Sequence, residues 1–66
     1  MRHIGIIKDE YFDYVYENET YKFNLVVDSR GTTIYVIRPD NSVDITLTYG
    51  NLSHEEAIKA WENGNI

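Results

Sequence analysis

TYKFNLVVDSRGTTIYVIRPDNSVDITLTY, residues 20–49, holds three apolar runs separated by two turn signals. Residues 43–49 alternate strictly: Val43, Ile45, Leu47 and Tyr49 fall on one side, Asp44, Thr46 and Thr48 on the other. This is the period of a strand with one buried and one wet face. The expected buried face is the apolar one. Residues 20–28 follow nearly the same pattern, with Tyr21, Phe23, Leu25 and Val27 against Thr20, Lys22, Asn24, Val26 and Asp28. Between them, residues 32–38 are apolar on both faces, through Ile34 and Val36 and through Tyr35 and Ile37.

The separators have turn chemistry. Asp28-Ser29-Arg30-Gly31 fits a type I turn with Gly31 at a positive-φ position. Arg38-Pro39-Asp40-Asn41-Ser42 places Pro39 at the first central position, and Asn41 tolerates a left-handed backbone. Residues 20–49 therefore read as a three-stranded antiparallel meander with 32–38 in the middle.

Downstream, Ser53 and Glu56 form the Ser-x-x-Glu pattern of a capping box. Leu52 and Ala57 sit at hydrophobic-staple positions, and a helix is expected to about Asn63, ended by Gly64 in a left-handed conformation. Ala57, Ile58 and Trp61 share one face, with Ala60 beside them, and Trp61 reads as a core anchor. Upstream, residues 2–7 suggest a strand with Gly5 as a bulge. Residues 11–17 fit a strand carrying Phe12, Tyr14 and Tyr16 on one face, and also fit helical spacing; the Tyr, Phe and Val content favours the strand. The expected fold is α+β: one domain over 1–66, an antiparallel meander sheet of four or five strands, and a C-terminal helix packed on one face. One helix covers one face only. The doubly apolar middle strand, with Val26, then leaves apolar surface for a partner or a second copy.

Sixty-six residues make a thin core. The absence of cysteine removes disulfides and thiolate metal sites, so self-association is the natural supplement. Net charge is −5, and its distribution is uneven. Residues 9–19, DEYFDYVYENE, contain five acids, four aromatics and no base, whereas the remaining chain has six acids against six bases. That balance argues against direct nucleic-acid binding, which calls for a basic patch. It suggests instead a contact surface for a basic partner, formed by Asp9, Glu10, Tyr11, Asp13, Tyr14, Tyr16, Glu17 and Glu19. The plain alternative is a solvated face that keeps the protein in solution. Tyr21 and Tyr49 share faces with core residues and read as structural. Tyr11, Tyr14, Tyr16 and Tyr35 exceed what so small a core can bury.

Catalytic signals are weak. His54 stands beside two glutamates at a helix start, where it should be solvated, and no serine lies in a nucleophile elbow. Asp40, Ser42 and Asp44 imitate the start of a calcium loop, but Ile45 and Asn51 replace the required glycine and glutamate. No cofactor, metal or enzyme activity is expected. The N-terminal apolar run is too short for a signal peptide or a membrane span, so Asn18-Glu19-Thr20 and Asn51-Leu52-Ser53 read as chance triplets. Cytoplasm is the expected location and no membrane partner is expected. The function these features suggest is an acidic inhibitor or modulator, of the kind phages and mobile elements encode. Its carboxylates would stand where phosphates would on a nucleic-acid-binding target. The alternative is a structural homo-oligomer, with a homodimer as its simplest form.

Overall fold

A computed structural model describes residues 7–65. Four strands and one helix follow one another: β1 (Lys8–Tyr16), β2 (Glu19–Asp28), β3 (Gly31–Ile37), β4 (Val43–Thr48) and α1 (His54–Asn65). The strands form one antiparallel sheet in the order β1-β2-β3-β4, as an α+β meander requires. Residues 11–16 are strand, not helix. The strand expected at 2–7 lies outside the described residues except for Ile7, whose amide donates to the Val27 carbonyl at 2.8 Å.

Short turns set the register. Tyr16 pairs with Glu19, so Glu17 and Asn18 alone make the first turn, both at positive φ (50° and 66°). Primed two-residue turns need this, because only they match the right-handed twist of the flanking strands. Asp28 pairs with Gly31 across Ser29 and Arg30, and Asp28 Oδ1 accepts the Arg30 amide at 2.8 Å. Gly31 has φ of 144°, and a Cβ there would collide with the Thr48 carbonyl oxygen. In the third turn the Asn41 amide donates to the Arg38 carbonyl at 2.8 Å and Asn41 takes φ of 73°. Pro39 is thus at the first central position, where its fixed φ suits a type I turn.

The helix packs on one face. Its cap is reciprocal: the Ser53 amide donates to Glu56 Oε1 at 2.9 Å, and the Glu56 amide to Ser53 Oγ at 3.3 Å. The helix does not stop before Gly64. It continues to Asn65, whose side-chain amide donates to the Trp61 carbonyl at 3.0 Å and satisfies one of the acceptors a helix end leaves open. Beneath it Tyr21, Phe23, Leu25, Ile34, Val36, Ala57 and Trp61 form the buried core. Trp61 is fully buried, with Tyr14, Tyr16, Tyr21 and Phe23 ring centroids 5.0–6.5 Å away. Three of these contacts are edge-to-face and the Tyr21 one is tilted, and such ring contacts add to the area an aromatic buries. Buried Thr32 ties the link after β4 to the sheet, donating to the Gly50 carbonyl at 2.5 Å.

β4 reverses the expected orientation. Register pairs Val36 with Asp44 and Ile34 with Thr46, and side chains paired across strands point the same way. Val36 and Ile34 are in the core, so Asp44 and Thr46 face the helix and Val43, Ile45 and Leu47 face outward. The apolar side of the strand is 53%, 63% and 76% exposed at those three positions. Tyr49, expected to be structural, is 92% exposed.

Candidate functional site

Alternation along β1 divides the acidic, aromatic segment. Glu10, Phe12, Tyr14 and Tyr16 are half-buried on the helix side; Asp9, Tyr11, Asp13 and Val15 are exposed on the open face. Glu17 lies in the turn, and Glu19 starts β2. The eight residues read from the sequence as one contact surface are therefore distributed over two faces and a turn.

On the helix side these groups have structural partners. The Tyr14 hydroxyl donates to Glu62 Oε2 at 2.8 Å. That bond, followed by partial desolvation, raises the Tyr14 pKa above its ordinary 10.0, since the carboxylate favours the protonated phenol. Tyr16 packs edge-on to Tyr21 and Trp61. Glu10 lies 3.8 Å from Lys8 Nζ and 2.9 Å from His54 Nε2. The His54 ring also stacks on Phe12, with centroids 4.1 Å apart. His54 is thus half-exposed but docked, not simply solvated.

Asp9, Tyr11, Asp13, Glu17 and Glu19 remain on the surface. Asp9 accepts the Asn24 side-chain amide at 2.7 Å. Asp13 is opposite Lys22 in the register, yet no ion pair joins them. Among the described residues, Asp13, Glu17 and Glu19 make no ion pair at all.

Across the open face, charge gives way to apolar surface. One row runs Tyr11, Asn24, Tyr35, Ile45; the next runs Asp13, Lys22, Ile37, Val43; a third runs Asp9, Val26, Thr33, Leu47. The β1 and β2 half carries Asp9, Asp13, Lys22 and Asp28. The β3 and β4 half carries no charge: its outward residues are Thr33, Tyr35, Ile37, Val43, Ile45 and Leu47.

Sequence reasoning missed Asp44 and Thr32. Asp44 Oδ2 accepts the Trp61 indole N–H at 3.0 Å and the Arg38 Nε–H at 2.7 Å, while Arg38 also lies over the indole, 5.9 Å from its centroid. The signal was the length of the Arg38–Ser42 turn, which pairs Ile37 with Val43 and so sets Asp44 beside core residue Val36. This geometry separates the calcium-like triplet. Asp40 Oδ1 accepts the Ser42 amide and hydroxyl, at 3.0 and 2.7 Å, while Asp44 points to the helix. Those Ser42 bonds hold the Asp40 carboxyl below its ordinary pKa. Among the described residues no group of three or more His, Asp or Glu side chains is placed to hold a metal, and no helix is long and apolar enough to cross a membrane.

A hollow of about 470 Å³ lies where β2 and β4 end and β3 begins, between Asp28, Arg30, Thr33, Leu47 and Tyr49. Its base, Arg30, is 3.8 Å from Asp28. No protein-family model, curated protein or solved structure matches this chain.

Proposed function

We propose that this chain is a small protein-binding module that inhibits or modulates its target by covering a basic surface, of the kind nucleic-acid-binding proteins present. The observation that carries the reading is the exposed acidic edge. Asp9, Tyr11 and Asp13 project from one side of an edge strand, Glu17 lies in the turn that ends it, and Glu19 follows that turn. None of these four acids has an ion-pair partner among the described residues, so their field is available to an incoming cationic surface. Tyr11 supplies contact area there; Tyr14 and Tyr16 are committed to packing around Trp61. An edge strand lined with carboxylates can follow a groove that normally holds a phosphate backbone.

The test is capture from lysate at low and high salt. The control bait carries Asp13→Asn, Glu17→Gln and Glu19→Gln. A basic protein retained by the wild type alone and released by salt supports the proposal, since exposed charges are screened within about 8 Å at physiological ionic strength. Equal retention by both baits, or none by either, refutes it. A second reading, self-assembly, has its own observation in the uncharged half of the open face.

A further inference from the structure

We infer that the uncharged half of the open face is the interface of a homodimer, in which β3 and β4 of one copy pack face to face on β4 and β3 of another.

The orientation of β4 is the starting point. A strand with one apolar side normally buries it, because a one-residue change of register would turn the whole set inward. Here register and turns hold that side outward, and the polar side bonds the helix through Asp44 and Thr46. Val43, Ile45, Leu47 and Tyr49, with Tyr35 and Ile37 beside them, are large apolar or aromatic side chains exposed to solvent. At their fractional exposures these six present roughly 700 Å² in one patch, above the few hundred Å² a monomer usually exposes. It is also close to the ~800 Å² that each partner contributes to a standard interface.

Charge selects a second copy as the occupant. The patch contains no charged side chain, so it offers a charged partner nothing to pair with, whereas an identical neutral patch matches it without leaving a buried charge unpaired. Superposing whole faces would set the acidic β1 of each copy over either β1 or β4 of the other. The first arrangement repels, and the second desolvates Asp9 and Asp13. An offset two-fold axis, running along the strands between the faces at the β3–β4 boundary, avoids both. Val43, Ile45 and Leu47 of each copy then meet Ile37, Tyr35 and Thr33 of the other, as an isologous contact requires. Strands about 4.8 Å apart and sheets about 10 Å apart place the two β1 edges about 24 Å from each other across the sheet. That exceeds the ~8 Å screening length, so the acidic edges stay independent and outside the contact.

Sedimentation equilibrium tests this, with far-UV circular dichroism reporting the fold. Wild type should be dimeric, and added salt should leave the dimer intact or tighten it, the opposite of acidic-edge binding. Ile45→Lys with Leu47→Lys should weaken association by about a hundredfold or more while the sheet and helix signals persist. Asp13→Asn with Glu17→Gln should leave the dimer unchanged, so loss of the acidic partner and loss of the dimer are separately readable. A wild type that stays monomeric up to about 1 mM overturns the inference. So does a dimer that survives both lysines, which would point to pairing along the β4 edge. Should the lysines unfold the chain, Leu47→Thr with Tyr49→Ser reads the same contact: a weakened dimer supports it, an unchanged one overturns it.

Discussion

β1 and β4 are the two edges of one sheet, and they resolve the same alternation in opposite ways. β1 turns Phe12, Tyr14 and Tyr16 toward the helix and leaves Asp9 and Asp13 outside. β4 turns Asp44, Thr46 and Thr48 toward the helix and leaves Val43, Ile45 and Leu47 outside. A strand's own pattern therefore says that it has two unlike faces, but not which one the fold will use. Pairing decides that. Each register is inherited from the neighbouring strand, beginning at β2, whose Phe23 and Leu25 are committed to the core. The edges also differ in protection. Carboxylates along β1 discourage pairing with another chain, whereas the outward side chains of β4 offer no such charge.

The sharpest way to break this comparison is to remove what both edges lean on. Trp61→Ala should cost about 3–5 kcal/mol, as loss of a buried aromatic does, and leave so small a domain largely unfolded in a urea titration. Next comes a matched pair, measured in dilute solution. Phe12→Ala on β1 should cost about 2–3 kcal/mol because its ring stacks on Phe23 and His54, while Ile45→Ala on β4 should cost less than about 1 kcal/mol. Equal costs would mean that β4 buries its apolar side after all. The polar residues should rank in reverse. Asp44→Ala leaves the Trp61 indole N–H and Arg38 without their acceptor and should cost about 1–3 kcal/mol, against about 0.5 kcal/mol or less for Asp13→Ala.

The smallest effects concern pH. Tyr14 has a raised folded pKa, so its contribution is complete below 10.0 and is lost as pH rises through the folded value. Tyr14→Phe should remove that alkaline loss from a thermal-melt series. Asp40 has a lowered folded pKa, so its contribution is present above the unfolded value of 3.8 and is lost as pH falls through the folded one. Asp40→Asn should flatten that acid limb.

Most of the architecture was legible. The turns at Ser29–Arg30 and Pro39–Asp40, the Ser53 and Glu56 cap, and the central place of Trp61 are local chemistry, and local chemistry is what a sequence displays. Exposed apolar surface was legible as well, since one helix cannot cover both sides of a strand bearing Ile34 and Val36 on one face and Tyr35 and Ile37 on the other. What escaped was non-local. The outward turn of β4 follows from register carried from β2 across two turns. The docking of His54 on Phe12 and Glu10 depends on where the helix crosses β1. The acidic segment was visible as a composition, but its division between two faces appears only once β1 is paired.

Trp61 gives the molecule its own optical reporter. It is the one tryptophan in the chain, and it hydrogen-bonds a residue of β4 while lying among tyrosines from β1 and β2. Its emission colour should follow whether β4 stays seated under the helix. Energy passed to it from Tyr14, Tyr16 and Tyr21 should follow whether the first hairpin is closed. A single unlabelled sample could thus distinguish one edge of the sheet loosening from the other.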